Sequence, residues 1–312
     1  MTILVRAVLA GALLASGGIG QTADLSATDQ PRALSKLGLE NLQALARLFG
    51  YVRYFHPSDA AAAADWEQIA IHSVSTVEKA QNALELASSL RAALGSVSVA
   101  VTVFLTGTEA PPVRLKPAPY LIEWRHHGIG LSENNIYYSE RVTRPAGGST
   151  DEIDVLRADL PGGVSCLVPR VLYTESSGVF RLGSFAGKQP RASADDRSAR
   201  LAAVLIAWNV LQHFYPYFDV VHSDWPQALT SALKSAATDD GPIPFLSTLR
   251  HMIAALHDGH GRVTMTGDTA IPSPVGWDWV EGRIILMRCF PRVGPHNSAW
   301  RCNNRHQWAV GG

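Results

Sequence analysis

The strongest constraint on the fold of this chain is an internal repeat. Residues 42–94 align without a gap with residues 201–253 when the chain is shifted by 159 positions. The matches that composition explains least are Phe55 with Phe214, Pro57 with Pro216, Asp65-Trp66 with Asp224-Trp225, and Gln68 with Gln227. A repeated segment of this length predicts two similar supersecondary units that pack against a shared core.

Each copy predicts two helices joined by a short loop. Apolar residues recur at three- and four-residue steps over residues 42–55 and again over 201–214, and a proline ends each stripe. Asp65 and Asp224 then stand at N-cap positions, with a glutamine three residues later as in a capping box. We therefore expect a second helix to start at each Asp-Trp, with both tryptophans as core anchors.

Between the copies the apolar period changes from 3.6 to 2. Valines alternate over residues 97–103, and residues 155–173 predict a strand, a Pro-Gly-Gly turn and a second strand. The predicted fold class is α+β, with two related helical units flanking a β-rich insert. The predicted boundaries are a signal peptide at 1–20, a first helical unit at 21–95, a β-rich module at 96–185, a second helical unit at 186–268, the start of a further domain at 269–287, and a tail at 288–312.

The first residues predict export. A short charged start, an apolar run over residues 7–15 and small residues at 18–20 are typical of a secretory signal peptide, and the run is too short to span a bilayer. We expect a periplasmic or secreted protein with no membrane contact after signal removal. Since Lys+Arg and Asp+Glu each number 27, there is no basic surplus for nucleic-acid binding. Three cysteines are too few for a disulfide framework or a zinc cluster, and no cofactor is expected.

The best candidate for chemistry is the segment Leu256–His260, which follows a predicted helix. Gly259 is expected to take a left-handed turn that places Asp258 and His260 on an exposed corner before a strand-like segment at 262–265. Three interpretations stay open. His260 is a general base that a carboxylate orients and that acts on a nucleophile from elsewhere; or His257, Asp258 and His260 bind a metal; or the motif only caps the helix. The sequence contains no convincing nucleophile and no phosphate loop, serine elbow or His-Glu-x-x-His helix.

These residues resemble a known family. Trp208-Asn-x-x-Gln-His-Phe-Tyr-Pro216, Asp224-Trp225 and Leu256–His260 are similar to the N-terminal helical region of tail-specific (carboxyl-terminal-processing) serine peptidases, particularly their tricorn-core-like branch. Residues 48–57 resemble an upstream segment of secreted members, and the similarity covers most of residues 40–285. The resemblance implies that a PDZ-like domain begins at 269–287 and that His260 and Asp258 are catalytic candidates. It also implies that a crotonase-like core carrying a serine nucleophile and a Lys or His base would follow, with a peptide or protein as substrate.

The tail loses all periodicity after Met287. Read one base later, codons for residues 300–308 permit Gly-Asp-Val-Ile-Thr-Ala-Ile-Asn-Gly, which suits a PDZ-like strand and turn. We therefore hypothesise that 288–312 are out of frame, and we predict the non-catalytic N-terminal region of a secreted serine-type peptidase, inactive as translated. The alternatives are a stand-alone periplasmic peptide- or protein-binding module that uses residues 51–57 and 213–218, and a metal-dependent hydrolase at His257, Asp258 and His260.

Overall fold

The computed structural model describes residues 28–98, 100–127, 138–147, 153–175, 179–181, 192–259, 261–264, 275–280 and 283–289. The predicted signal peptide and most of the predicted out-of-frame tail lie outside these ranges. The predicted α+β class is confirmed at the level of mixed helices and antiparallel sheets. The chain divides into two compact units, residues 1–266 and 267–312.

The first helical segment contains four helices, and a polar side chain caps each of them. They are α1 (Lys36–Phe55), α2 (Asp59–Ala63), α3 (Trp66–Val77) and α4 (Ala83–Leu94). The capping residues, each of which accepts a hydrogen bond from a backbone N–H three residues later, are Ser35, Ser58, Asp65 and Asn82. As predicted, α1 ends just before Pro57, because proline cannot continue a helix.

The second helical segment contains α5 (Arg197–Phe214), α6 (Trp225–Thr238) and α7 (Pro242–Ala254). The predicted helix starts are confirmed, since Asp65 and Asp224 accept hydrogen bonds from the backbone N–H groups of Gln68 (3.1 Å) and Gln227 (3.0 Å). The Gln227 side chain donates to Ser231 instead of completing the capping box. The last residues of α1 and α5 are 159 positions apart in the sequence. The same separation holds between the first residues of α3 and α6, and between the first residues of α4 and α7.

The β-rich part forms two antiparallel sheets. The first has the order β1-β5-β4, from β1 (Thr102–Leu105), β4 (Val155–Leu160) and β5 (Val164–Pro169). The second has the order β6-β2-β3-β7, from β2 (Tyr120–His127), β3 (Tyr138–Pro145), β6 (Val171–Thr174) and β7 (Val179–Arg181). Residue 170 alone separates β5 from β6, so the chain changes sheet there.

Of two local predictions for the β-rich part, one is confirmed and the other is wrong about where a strand begins. The Pro-Gly-Gly turn between β4 and β5 is confirmed, with Gly162 and Gly163 at φ +78° and +75°, the left-handed conformations that a tight hairpin turn requires. The strand predicted from Val97 begins only at Thr102. Residues 95–98 form a turn after α4, in which the Ser98 hydroxyl donates to the Leu94 carbonyl and Val97 is buried without strand pairing.

One hydrophobic core joins both helical segments to the first sheet. It includes Leu45 of α1, Leu205 of α5 and Val164 of β5, all fully buried. Arg197, at the start of α5, is also fully buried and forms two hydrogen bonds to Glu78, just after α3. The two helical segments are therefore tied together by apolar packing and by a buried ion pair.

The second unit contains an antiparallel hairpin of β8 (Val275–Val280) and β9 (Arg283–Cys289), with a bulge between Gly276 and Trp277. Val280 pairs with Arg283, and residues 281 and 282 between them lie outside the described ranges. Across the whole described part of the chain, no helix has the length and apolarity that crossing a membrane would need.

Candidate functional site

The predicted catalytic loop begins where α7 ends. The backbone N–H of His257 donates to the Ala254 carbonyl (3.0 Å), and His257 itself takes the left-handed conformation at φ +52°. The prediction that Gly259 would provide this turn is wrong. Because α7 ends at Ala254 and not at Leu256, the left-handed position after the cap falls on histidine, which tolerates it better than most residues.

Asp258 is held by a tyrosine from the end of α5. The Tyr215 hydroxyl donates a hydrogen bond to Asp258 Oδ2 at 3.1 Å. Burial of the ring, reinforced by the neighbouring Asp258 carboxylate, raises the pKa of Tyr215 to about 12. Tyr215 therefore remains a hydrogen-bond donor at physiological pH, and it fixes a half-buried carboxylate of the kind that orients a catalytic histidine.

The loop is anchored on both sides. The Ser223 hydroxyl donates to the Ala255 carbonyl (2.6 Å), and Arg250 Nε donates to the Val263 carbonyl (3.1 Å). The strand expected over residues 262–265 is not formed in its described part, where residue 262 makes only an isolated β-bridge. The arginine bond instead brings residues 262–264 alongside α7.

An open groove of about 530 Å³ lies between the loop and α7. Polar side chains line it, among them Arg250, His257, Asp258 and Arg262. His257 is exposed, and Asp258 lies beside it in the same groove. The groove thus offers both positive charge and a carboxylate to a ligand.

His260, the predicted general base, lies outside the described residues, so its distance from Asp258 stays a prediction. The proposed metal set of His257, Asp258 and His260 shares this residue. Within the ranges that the structure describes, no three His, Cys, Asp or Glu side chains form a group that could hold a metal ion.

The three separate motifs of the second helical segment meet in space. The Trp208 indole donates to the Trp225 carbonyl (2.9 Å), and their rings stack at 6.4 Å. Phe218 contacts both Trp225 and Tyr215, with ring centroids at 6.0 and 5.0 Å. Tyr215 then reaches Asp258, so one continuous set of contacts links the Trp208 helix, the Asp-Trp start of α6 and the loop after α7.

A second polar site, which sequence reasoning missed, lies where α1 and α5 meet. Asn209 of α5 is fully buried, and its amide Nδ2 donates to the carbonyls of Ala46 (2.8 Å) and Leu205 (2.9 Å). Among the residues that the structure describes, its Oδ1 has no hydrogen-bond partner. Gly50 of α1 lies opposite, where an added Cβ would stand 2.0 Å from Asn209 Oδ1 and 2.6 Å from His213 Nε2. Glycine at this position makes room for both polar atoms.

His213 occupies an aromatic enclosure. The rings of Tyr51, Tyr54 and Phe55 surround it at 6.1, 5.6 and 5.0 Å. Its Nε2 is buried, and no hydrogen-bond partner for it lies in the described part of the chain. Burial lowers the pKa of His213 to about 4, and the nearby His126 acts in the same direction. His213 is therefore neutral at physiological pH.

Asn209 and His213 line a cavity of about 160 Å³ together with Arg47, Tyr51 and Gln212. Burial raises the pKa of Tyr51, whereas the Arg47 charge opposes this. The sequence did carry one signal for this site: Asn209 interrupts the apolar residues of 201–214, and it lies 159 positions after Gly50.

Comparison with models of protein families, with curated proteins and with solved structures gives no match for this chain. Its function is therefore inferred from its residues and their geometry.

Proposed function

We propose that this chain is the N-terminal helical region of a secreted serine-type peptidase of the tail-specific family. The observation that carries the proposal is the meeting of the three family-like motifs through the Tyr215–Asp258 hydrogen bond. In the catalytic relative, Asp258 would orient His260, and His260 would take the proton of a serine supplied by the core that follows. Peptides or proteins are the substrate, and the chain as translated has no peptidase activity.

The proposal includes two copies of one helical unit, and three sets of contacts support this. Phe49 packs edge-on against Trp66 (5.1 Å), and the residues 159 positions later are the stacked pair Trp208 and Trp225. Two ring pairs between α1 and α5, Tyr54 with Phe214 and Phe55 with His213, exchange positions under the same shift. Such reciprocity is typical of a two-fold symmetric interface.

The third set concerns helix ends. Asn41 donates to the carbonyls of Glu78 and Ala80 at the end of α3. Arg200, at the equivalent position, donates to the Ala236 carbonyl near the end of α6. The two side chains thus satisfy terminal carbonyls at matching places, although their chemistry differs.

We further propose that the β8–β9 hairpin begins a PDZ-like domain, that the protein is exported to the periplasm or the medium, and that residues 288–312 are read out of frame. The nucleotide sequence tests the last point directly. The shifted frame is expected to encode the rest of a PDZ-like domain and a serine-containing core. A shifted frame that stops or encodes neither would refute it.

The enzymatic part is tested in the frame-restored protein. A fluorogenic peptide assay should show kcat/KM lowered by about 10² or more in His260→Ala, as expected for loss of a general base. Tyr215→Phe should lower it by about tenfold through a misoriented Asp258, whereas the exposed Tyr217→Phe is the matched control and should leave it unchanged. Equal rates in Tyr215→Phe and Tyr217→Phe would contradict the orienting role.

A stand-alone peptide-binding module is the second candidate. In its favour, Tyr217 and Val220 are 42% and 69% exposed on the loop after α5. His56 and Tyr54, in contrast, are buried, so little of the segment 51–57 is available for contact. Loss of peptide binding in a Tyr217→Ser/Val220→Ser variant, in a chain without catalytic activity, would favour this candidate.

A further inference from the structure

The segment that joins β1 to β2 is held at its two ends only. On one side, the Thr106 N–H donates to the Gly163 carbonyl (3.0 Å), and on the other the Ala146 N–H donates to the Pro119 carbonyl (2.9 Å). Residues 109–118 between these anchors belong to no helix, strand or turn. Within the part of the chain that the structure describes, they form no hydrogen bond and no ion pair.

The same segment is open to solvent along its length. None of residues 106–119 is buried. Pro111, Pro112 and Pro117 fix their φ angles and lack an N–H, so they keep the segment out of a helix or a sheet ladder. Exposed loops of this kind are the preferred sites of proteolytic cleavage, because a backbone without hydrogen bonds enters a peptidase without prior unfolding.

The basic side chains of the segment are Arg114 and Lys116, and both are exposed. Lys116 precedes Pro117, so the nitrogen of the bond between them carries the proline ring and no hydrogen. Arg114 precedes Leu115, and the bond between them is an ordinary secondary amide. An exposed guanidinium before such a bond matches a peptidase whose specificity pocket carries a carboxylate.

We propose that the peptide bond between Arg114 and Leu115 is a processing site for an arginine-specific endopeptidase. Water is the co-reactant. The C–N bond breaks, the hydroxyl group of water joins the Arg114 carbonyl carbon, and its hydrogen joins the Leu115 nitrogen. The products are a new carboxylate and a new amino group. This site does not depend on the proposed peptidase role of the chain.

The cut places the two helical segments on separate chains, and several contacts hold these chains together. Residues 102–105 of β1, on the first chain, pair with β5 on the second. Glu78 and Arg197 form their ion pair across the same division, and Leu45 and Leu205 belong to one core. The processed protein is therefore a folded, non-covalent pair of chains.

Limited digestion of the native chain with an arginine-specific endopeptidase, mapped by mass spectrometry, tests the site. Cleavage after Arg114 should be at least about 100-fold faster than after Arg125, which is 57% exposed but lies in β2, because the strand must first open. Arg114→Gln should abolish the cut, and so should Leu115→Pro, which keeps the arginine. Lys116→Gln is the matched control and should leave the rate after Arg114 unchanged.

Size-exclusion chromatography tests the two-chain product. After cleavage between Arg114 and Leu115, the protein should elute with the intact chain in native buffer and separate into its two chains only in urea. Similar rates of cleavage after Arg114 and Arg125, or a cut that persists in Leu115→Pro, would overturn the processing site. Separation of the two chains in native buffer would overturn the two-chain form.

Discussion

Replacing Glu78 with glutamine is expected to lower the free energy of unfolding by about 3 kcal/mol. The Arg197 guanidinium is fully buried and donates to both carboxylate oxygens of Glu78, at 2.8 and 2.7 Å. Glutamine keeps the size and one acceptor but removes the charge, so a buried cation loses its main partner. Breaking such a pair costs about 3–5 kcal/mol, and Asp29, at 3.6 Å from Arg197, keeps the loss near the lower value.

Thermal and urea denaturation followed by tryptophan fluorescence measure this change. For a domain of this size, about 3 kcal/mol corresponds to a fall of roughly 6–12 °C in Tm. Glu109→Gln, at an exposed position, is the matched control and should change Tm little. The double variant Glu78→Leu/Arg197→Met should be more stable than Glu78→Gln, since it leaves no unpaired charge. A Tm within about 1 °C of the parent for Glu78→Gln, or a double variant less stable than the single one, would refute the reasoning.

Three further predictions concern the helix crossing and the core. As the pH drops from about 6.5 to 4, the free energy of unfolding should fall by about 3 kcal/mol because of His213, since the unfolded chain binds the proton more tightly than the folded chain. Burial lowers the pKa of His56 as well, so this histidine should act in the same direction. A urea midpoint that stays constant over this pH range would contradict the prediction for both histidines. Cys166 is fully buried, and burial raises the pKa of its thiol to about 12, so a maleimide should label its peptide only after unfolding. Labelling of this peptide in the native chain, mapped by mass spectrometry, would disprove this. Gly50→Ala should lower the free energy of unfolding by about 1–3 kcal/mol despite the better helix propensity of alanine, because the new Cβ meets Asn209 Oδ1; an unchanged or higher Tm would contradict that clash.

Helix starts were predictable because their determinants are local. Asp65 and Asp224 cap the helices that follow them, and the cap, the tryptophan and the glutamine all lie within four residues. The Pro-Gly-Gly turn is equally local, since its backbone conformation requires glycine. Both features can be read from a short window of sequence.

Helix ends and long-range contacts were less predictable, because they depend on packing between distant residues. The apolar pattern of α7 continues to Leu256 in the sequence, but the helix ends at Ala254 and Leu256 is buried beyond that end. The left-handed residue is therefore His257 and not Gly259, which the sequence had predicted. Arg197 stands in a segment of small and polar residues that is typical of a linker, yet it is fully buried, because Glu78 neutralises it from 119 residues away. A contact between residues 119 positions apart cannot be predicted from a short window of sequence.

The polar site at the helix crossing combines both kinds of information. If two copies of one helix pack reciprocally, equivalent residues contact each other at the crossing. Where the two copies carry different residues at such a position, the two different side chains then lie in the same contact. Gly50 and Asn209 are such a pair, and the asparagine side chain fills the space that the glycine leaves. In the alignment of residues 42–94 with 201–253, Gly50 stands against Asn209, but only the packing shows that the two residues face each other. The difference between these two residues therefore places a fixed acceptor, Asn209 Oδ1, beside His213 at the crossing of α1 and α5.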